Sequence, residues 1–83
     1  MKSSKILENV QRNPRRVISF RDFERLLGAF GFVLQRTRGS HRAYKRAGVP
    51  ELLTIQPKGG EARPYQVRKF LDMIEQFQLE LDE

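Results

Sequence analysis

Two stretches of the chain carry apolar residues at helical spacing. Phe20, Phe23, Leu26, Leu27 and Phe30 recur at intervals of three and four, a stripe that predicts a helix over about 20–30. Ser19 suits its N-cap, and Asp22 three residues on makes a capping box with Asp in place of Glu. Ile18 and Phe23 are placed to staple that entry, and Gly31 stands where a left-handed glycine closes a helix. Gly28, inside the helix, costs about 1 kcal/mol against alanine, which predicts close packing of this helix on a sheet. The second stretch is Val67, Phe70, Leu71, Ile74, Phe77 and Leu81, with Arg68, Lys69, Asp72, Glu75 and Gln76 on the other side. It predicts a helix over about 64–78 with Pro64 in its first turn. A shorter stripe, Ile6, Leu7 and Val10, predicts a helix over 3–12, capped by a serine and ended by Asn13-Pro14. Arg15 and Arg16 then fall in a connector.

Between the second and third helices the period changes. Residues 32–37, 41–46 and 52–55 read as strands. Arg38-Gly39-Ser40 and Ala47-Gly48-Val49-Pro50 are the turns between them, and Pro57 with Lys58-Gly59-Gly60 ends the sheet. Short turns between successive strands predict an antiparallel meander. The order α-α-β-β-β-α is an α+β fold, a three-stranded antiparallel sheet packed by helices. It has the layout of a double-stranded-RNA-binding domain with an extra N-terminal helix. An architecture alone does not assign a function.

The length of 83 residues fits a single domain. The absence of cysteine excludes a disulfide scaffold, a thiol nucleophile and cysteine-ligated zinc, and a single histidine excludes a multi-histidine metal site. The apolar runs are too short to span a membrane, and Met1-Lys2-Ser3-Ser4-Lys5 lacks the apolar stretch of a signal peptide. A cytoplasmic protein without a cofactor is expected. Charge changes the picture most. Residues 1–46 carry twelve basic and three acidic side chains, while residues 47–83 carry four and seven. A basic half of this strength suits a polyanion, with nucleic acid the default; the plainer account is a surface charged for solubility.

The chemistry concentrates in Arg36-Thr37-Arg38-Gly39-Ser40-His41-Arg42-Ala43-Tyr44-Lys45-Arg46, which holds five cations, the only histidine and no carboxylate. Strand alternation puts His41, Ala43 and Lys45 on one face and Arg42, Tyr44 and Arg46 on the other. Gly39 permits a positive φ in the turn that precedes His41. RNA cleavage by the adjacent 2′-hydroxyl needs a base for that proton, positive charge around the phosphorane and an acid for the leaving 5′-oxygen. Histidine serves as base or acid, and arginine and lysine supply the charge without a metal. A single histidine leaves the second proton role to water, Tyr44, Lys45 or a substrate group. Taken singly, these residues have simpler roles. An isolated histidine beside arginines is more often a hydrogen-bonded turn residue. Cations on a strand edge deter aggregation. A strand tyrosine is commonly half-buried, and the phenylalanines are core. Ser40 can cap a turn, and Lys58-Gly59-Gly60 is too weak a pattern for a phosphate loop.

Leu26 and Leu27 leading into Gly31-Phe32, then Arg36, Arg38-Gly39-Ser40-His41 and Tyr44, resemble the HicA family of small toxins. Gly60-Glu61-Ala62-Arg63-Pro64-Tyr65-Gln66-Val67-Arg68 resembles the closing helix of one branch of that family. The resemblance spans about residues 19–80 and leaves residues 1–17 as an extension. Arg38 stands where lysine is common before the Gly-Ser-His glycine, so charge is kept. The resemblance implies a double-stranded-RNA-binding-like fold and a ribonuclease that cleaves mRNA and stops translation, held inactive by a HicB antitoxin. The family's catalytic histidine maps onto His41, and Gly39 onto the residue that presents it. Arg38, Arg42 and Lys45 are the expected phosphate contacts, with Gly39 and Ser40 in the turn and Arg36 and Arg46 beside them. An acidic antitoxin suits a cationic site, and the acidic end, Glu80 to Glu83, reads as a solvated tail.

Two other readings compete. A non-catalytic RNA-binding module of the same fold predicts salt-sensitive binding that survives loss of His41. A protein-interaction domain predicts no RNA affinity. The histidine directly after Gly39-Ser40, inside the cationic stretch, favours the ribonuclease.

Overall fold

A computed structural model describes residues 2–13 and 17–81 of the chain. Pro14, Arg15, Arg16 and the last two residues of the acidic end lie outside the described residues. The elements are α1 (Ser3–Arg12), α2 (Phe20–Ala29), β1 (Val33–Arg38), β2 (His41–Lys45), β3 (Leu53–Ile55) and α3 (Pro64–Phe77). The three strands form one antiparallel sheet in the order β1-β2-β3, giving the α+β, double-stranded-RNA-binding-like architecture.

The α2 entry forms as its sequence dictates. The Asp22 backbone N–H donates to Ser19 Oγ at 3.0 Å, satisfying one of the donors a helix start leaves open. Gly31, at φ +85°, supplies the left-handed step that ends the helix. Gly28 departs from expectation. It is exposed, and an added Cβ would meet nothing within 4 Å, so it does not mediate helix–sheet packing. The α1 cap also differs. Lys2 occupies the N-cap and makes no side-chain cap bond, while Ser3 is helical and buried.

The core centres on Phe70 of α3. The rings of Phe23, Phe30 and Phe32 approach it edge-on at centroid distances of 5.8, 5.4 and 5.9 Å, the geometry that aligns ring edges with ring faces. Leu53 and Ile55 of β3 and Tyr44 of β2 close the core from the sheet side. Ile6 and Val10 place α1 in the same buried cluster. The helices thus cover one face of the sheet and leave the other open. Every residue of β1 is exposed, Leu34 included.

The irregularity in β1 decides what the open face displays. Arg38 pairs with His41, Thr37 with Arg42 and Arg36 with Ala43, but Leu34 pairs with Tyr44, so Gln35 is the extra residue of a bulge. Phe32 is buried. Strict alternation from it would turn Leu34, Arg36 and Arg38 all to the helix side. The bulge resets the phase, so Leu34 keeps the helix side while Arg36 and Arg38 face out beside His41. Bulge and arginines also protect the free edge of the sheet.

Candidate active site

Arg38 and His41 close a two-residue hairpin. Gly39 has φ +60° and Ser40 has no positive φ, the pattern of a type II′ turn with glycine at its first central position. The turn makes His41 the first residue of β2, exposed at the rim of the sheet. A shallow cleft of about 160 Å³ opens there, lined by Arg36, Arg38, His41, Ala43 and Thr54. Register explains the set. Arg36, Ala43 and Thr54 form one cross-strand row, and Arg38 and His41 form another toward the turn. Directly opposed residues on one face have Cβ atoms about 4.5–5.5 Å apart, so the side chains of each row meet. Ala43, buried beneath the two arginines and the imidazole, is the floor.

The cleft lining holds two guanidinium groups, one imidazole, one hydroxyl and no carboxylate. Lys45 shares the outward face, two residues beyond Ala43. Gly39 and Ser40 are exposed in the turn at the rim.

Arg42 and Arg46 are held elsewhere. Arg42 lies on the helix side of the sheet. Its Nη1 donates to Glu24 Oε2 on α2 at 2.5 Å, and its guanidinium carbon sits 5.5 Å from the centre of the Phe20 ring. The hydrogen bond to Glu24, and then the carboxylate's charge, raise the Arg42 guanidinium above its usual value. Tyr44 Oη donates to the same Glu24 oxygen at 2.6 Å. Burial, then the hydrogen bond and charge of Glu24, push the Tyr44 phenol up to about 12, partly offset by Arg42. Arg46 folds back on the end of α2. Its Nε donates to the Phe30 carbonyl at 2.6 Å and its Nη1 to the Ala47 carbonyl at 2.7 Å, satisfying a carbonyl that the helix end leaves open. The expected cations thus divide. Arg36, Arg38 and Lys45 share the outward face with His41, while Arg42 and Arg46 bond within the fold.

Two participants escaped the sequence reading. Thr54 lines the cleft beside Ala43, which alternation had placed on the His41 face, and alternation within β3 carried its signal, since Leu53 and Ile55 point inward. Glu24, which engages Arg42 and Tyr44 across eighteen and twenty positions, left no local signal.

Among the described residues no helix is long and apolar enough to cross a membrane, and no group of three histidine, cysteine, aspartate or glutamate residues could hold a metal ion. Residues 20–79 match the family model described as the HicA toxin of bacterial toxin–antitoxin. No curated protein and no solved structure gives a significant match.

Proposed function

The chain belongs to the HicA family of toxins of bacterial toxin–antitoxin systems, and on that premise we propose that it is an endoribonuclease that cleaves mRNA without a metal and so stops translation in the cytoplasm. The observation that carries the proposal is the grouping of His41 with Arg36 and Arg38 in one carboxylate-free cleft. His41 acts as general base toward the 2′-hydroxyl or as general acid toward the leaving 5′-oxygen. As the 2′-oxygen attacks phosphorus, charge builds on the non-bridging oxygens. Arg36 and Arg38 meet that charge with donors already in place. Lys45 continues the cationic face along the backbone, and Gly39 and Ser40 set the imidazole at the rim. Arg42 and Arg46 are assigned to the fold, because their donors are engaged by Glu24 and by the Phe30 and Ala47 carbonyls. A HicB-type antitoxin with acidic side chains silences the enzyme by occupying the same cationic face.

The chemistry predicts its own products. Attack by the 2′-hydroxyl breaks the P–O5′ bond and leaves a 2′,3′-cyclic phosphate and a 5′-hydroxyl. End-group analysis of cleaved RNA tests this. Fragments with 5′-phosphate and 3′-hydroxyl ends, or cleavage of a 2′-deoxy substrate, refute it.

A further inference from the structure

We propose that Tyr65 is a base-stacking residue for single-stranded RNA, extending the substrate path from the His41 cleft onto the outer face of α3. The inference rests on the ribonuclease reading and adds a contact that the cleft itself does not contain.

Three observations meet at Tyr65. The first is exposure. Tyr65 is 62% exposed, while the other tyrosine, Tyr44, is 7% exposed. A large ring left mostly in water at the start of a helix contributes little to the core. The second is restraint. The buried Gln66 side chain donates from Nε2 to Tyr65 Oη at 3.1 Å and accepts at Oε1 from the Gln56 backbone N–H at 3.1 Å. The phenol is therefore tied to the residue that follows β3. The third is charge. Arg68 and Lys69, at i+3 and i+4 from Tyr65, are exposed on the same side of α3. An aromatic ring with two cations a turn away suits a phosphate backbone with a base stacked between contacts.

Topology brings this face to the cleft. Arg42 pairs with Ile55, so Gln56, one residue further, lies at the His41 end of the sheet. Thr54, two residues before it, lines the cleft. The α3 start is fixed at that same end. Phe20 N–H donates to the Gly60 carbonyl and Ala62 N–H to the Ile18 carbonyl, at 3.0 and 2.9 Å. A strand whose reacting phosphate sits by His41 would reach Tyr65 by passing Thr54 and crossing from the open face to the helix side at Gln56, the residue after β3. Single-stranded RNA is the class this arrangement fits. Its bases are free to leave their neighbours and lie on an aromatic face, whereas the bases of a duplex are already stacked.

The test is affinity in the non-cleaving His41→Ala background. A short fluorescent single-stranded oligoribonucleotide of mixed sequence is titrated and read by anisotropy. Tyr65→Ala and Tyr65→Leu are expected to weaken binding about 5- to 150-fold, the range of one lost stacked base. Tyr65→Phe, which keeps the ring, stays within about threefold. The salt dependence is unchanged, because no phosphate contact is removed. An oligonucleotide with abasic positions binds Tyr65→Ala as it binds the parent. Far-UV circular dichroism verifies that each variant is folded. If Tyr65→Ala binds the oligoribonucleotide as tightly as the parent, or loses equal affinity for the abasic strand, the stacking assignment is overturned and the exposed ring belongs to a protein contact. If the parent itself binds no RNA, the ribonuclease reading fails and takes this inference with it. Binding by the parent with no effect at Tyr65 overturns the inference alone.

Discussion

Substitution at Gly39 tests the hairpin that presents His41. Its φ is +60°, and a Cβ added there would meet nothing within 4 Å. Neighbouring atoms therefore contribute no penalty, and the cost of a side chain is the backbone's alone. An L-residue held in a conformation reserved for glycine costs about 1–3 kcal/mol. Alanine recovers about 0.4–1 kcal/mol by restricting the unfolded chain. Taking the middle of each range, the net loss for Gly39→Ala is about 1.3 kcal/mol, against a total of roughly 4–12 kcal/mol for a chain of 83 residues. With a urea slope near 1 kcal/mol per molar, the unfolding midpoint falls by about 1–2 M. D-alanine at the same position, introduced by chemical synthesis, inverts the sign. It favours positive φ, and stabilises by about 0.4–1 kcal/mol through the unfolded chain. RNA cleavage drops with L-alanine, which displaces the turn, and survives with D-alanine. Equal stability of the L-alanine and glycine proteins, or equal destabilisation by both alanines, refutes the turn geometry.

Other predictions concern the core, the sheet's inner face and the arginine split. Phe70→Ala removes the ring that three others contact, at a cost of about 3–5 kcal/mol; a loss below about 1 kcal/mol in urea unfolding contradicts its central place. Tyr44 has a raised pKa, so folding favours its neutral phenol. That contribution is complete below pH 10 and is lost as pH rises toward about 12. Absorbance titration of Tyr65→Phe, which leaves Tyr44 as the only phenol, should give a midpoint near 12 when folded and near 10 in denaturant. A folded midpoint near 10 contradicts the burial of the phenol together with its Glu24 contact. Arg36→Ala and Arg38→Ala should each lower the salt slope of RNA binding by about one unit. Arg42→Ala should lower stability and leave the slope in place, and the reverse outcome would place the substrate on the other face.

Much of the fold was legible because the strongest signals are local. The Phe20–Phe30 stripe, the Ser19 cap and the Gly31 exit lie within a dozen residues, and α2 forms between them. The three strands and the turn at Gly39-Ser40 followed from alternation and glycine. Gly28 misled because a helix glycine has two accounts, close packing or tolerated cost, and its open surroundings select the second. The site divided along the same line. Alternation correctly turned Arg42 away from His41. The bulge at Gln35 had no local mark, because nothing in Leu34-Gln35-Arg36 demands an extra residue. It arises from two distant requirements, Phe32 against Phe70 at one end and the hairpin pairing at the other. The fates of Arg42 and Arg46 likewise depended on partners eighteen and sixteen residues away. Their charge and their face were legible, but their partners were not.

The most direct measurement is cleavage of a long single-stranded RNA by purified protein in EDTA, run beside His41→Ala, a substitution at an exposed rim residue that leaves the fold intact. The account predicts fragments from the parent and none from the variant, with equal RNA binding by both. Cleavage that EDTA abolishes, or that His41→Ala carries out at the parent's rate, would contradict a histidine-based ribonuclease at this cleft.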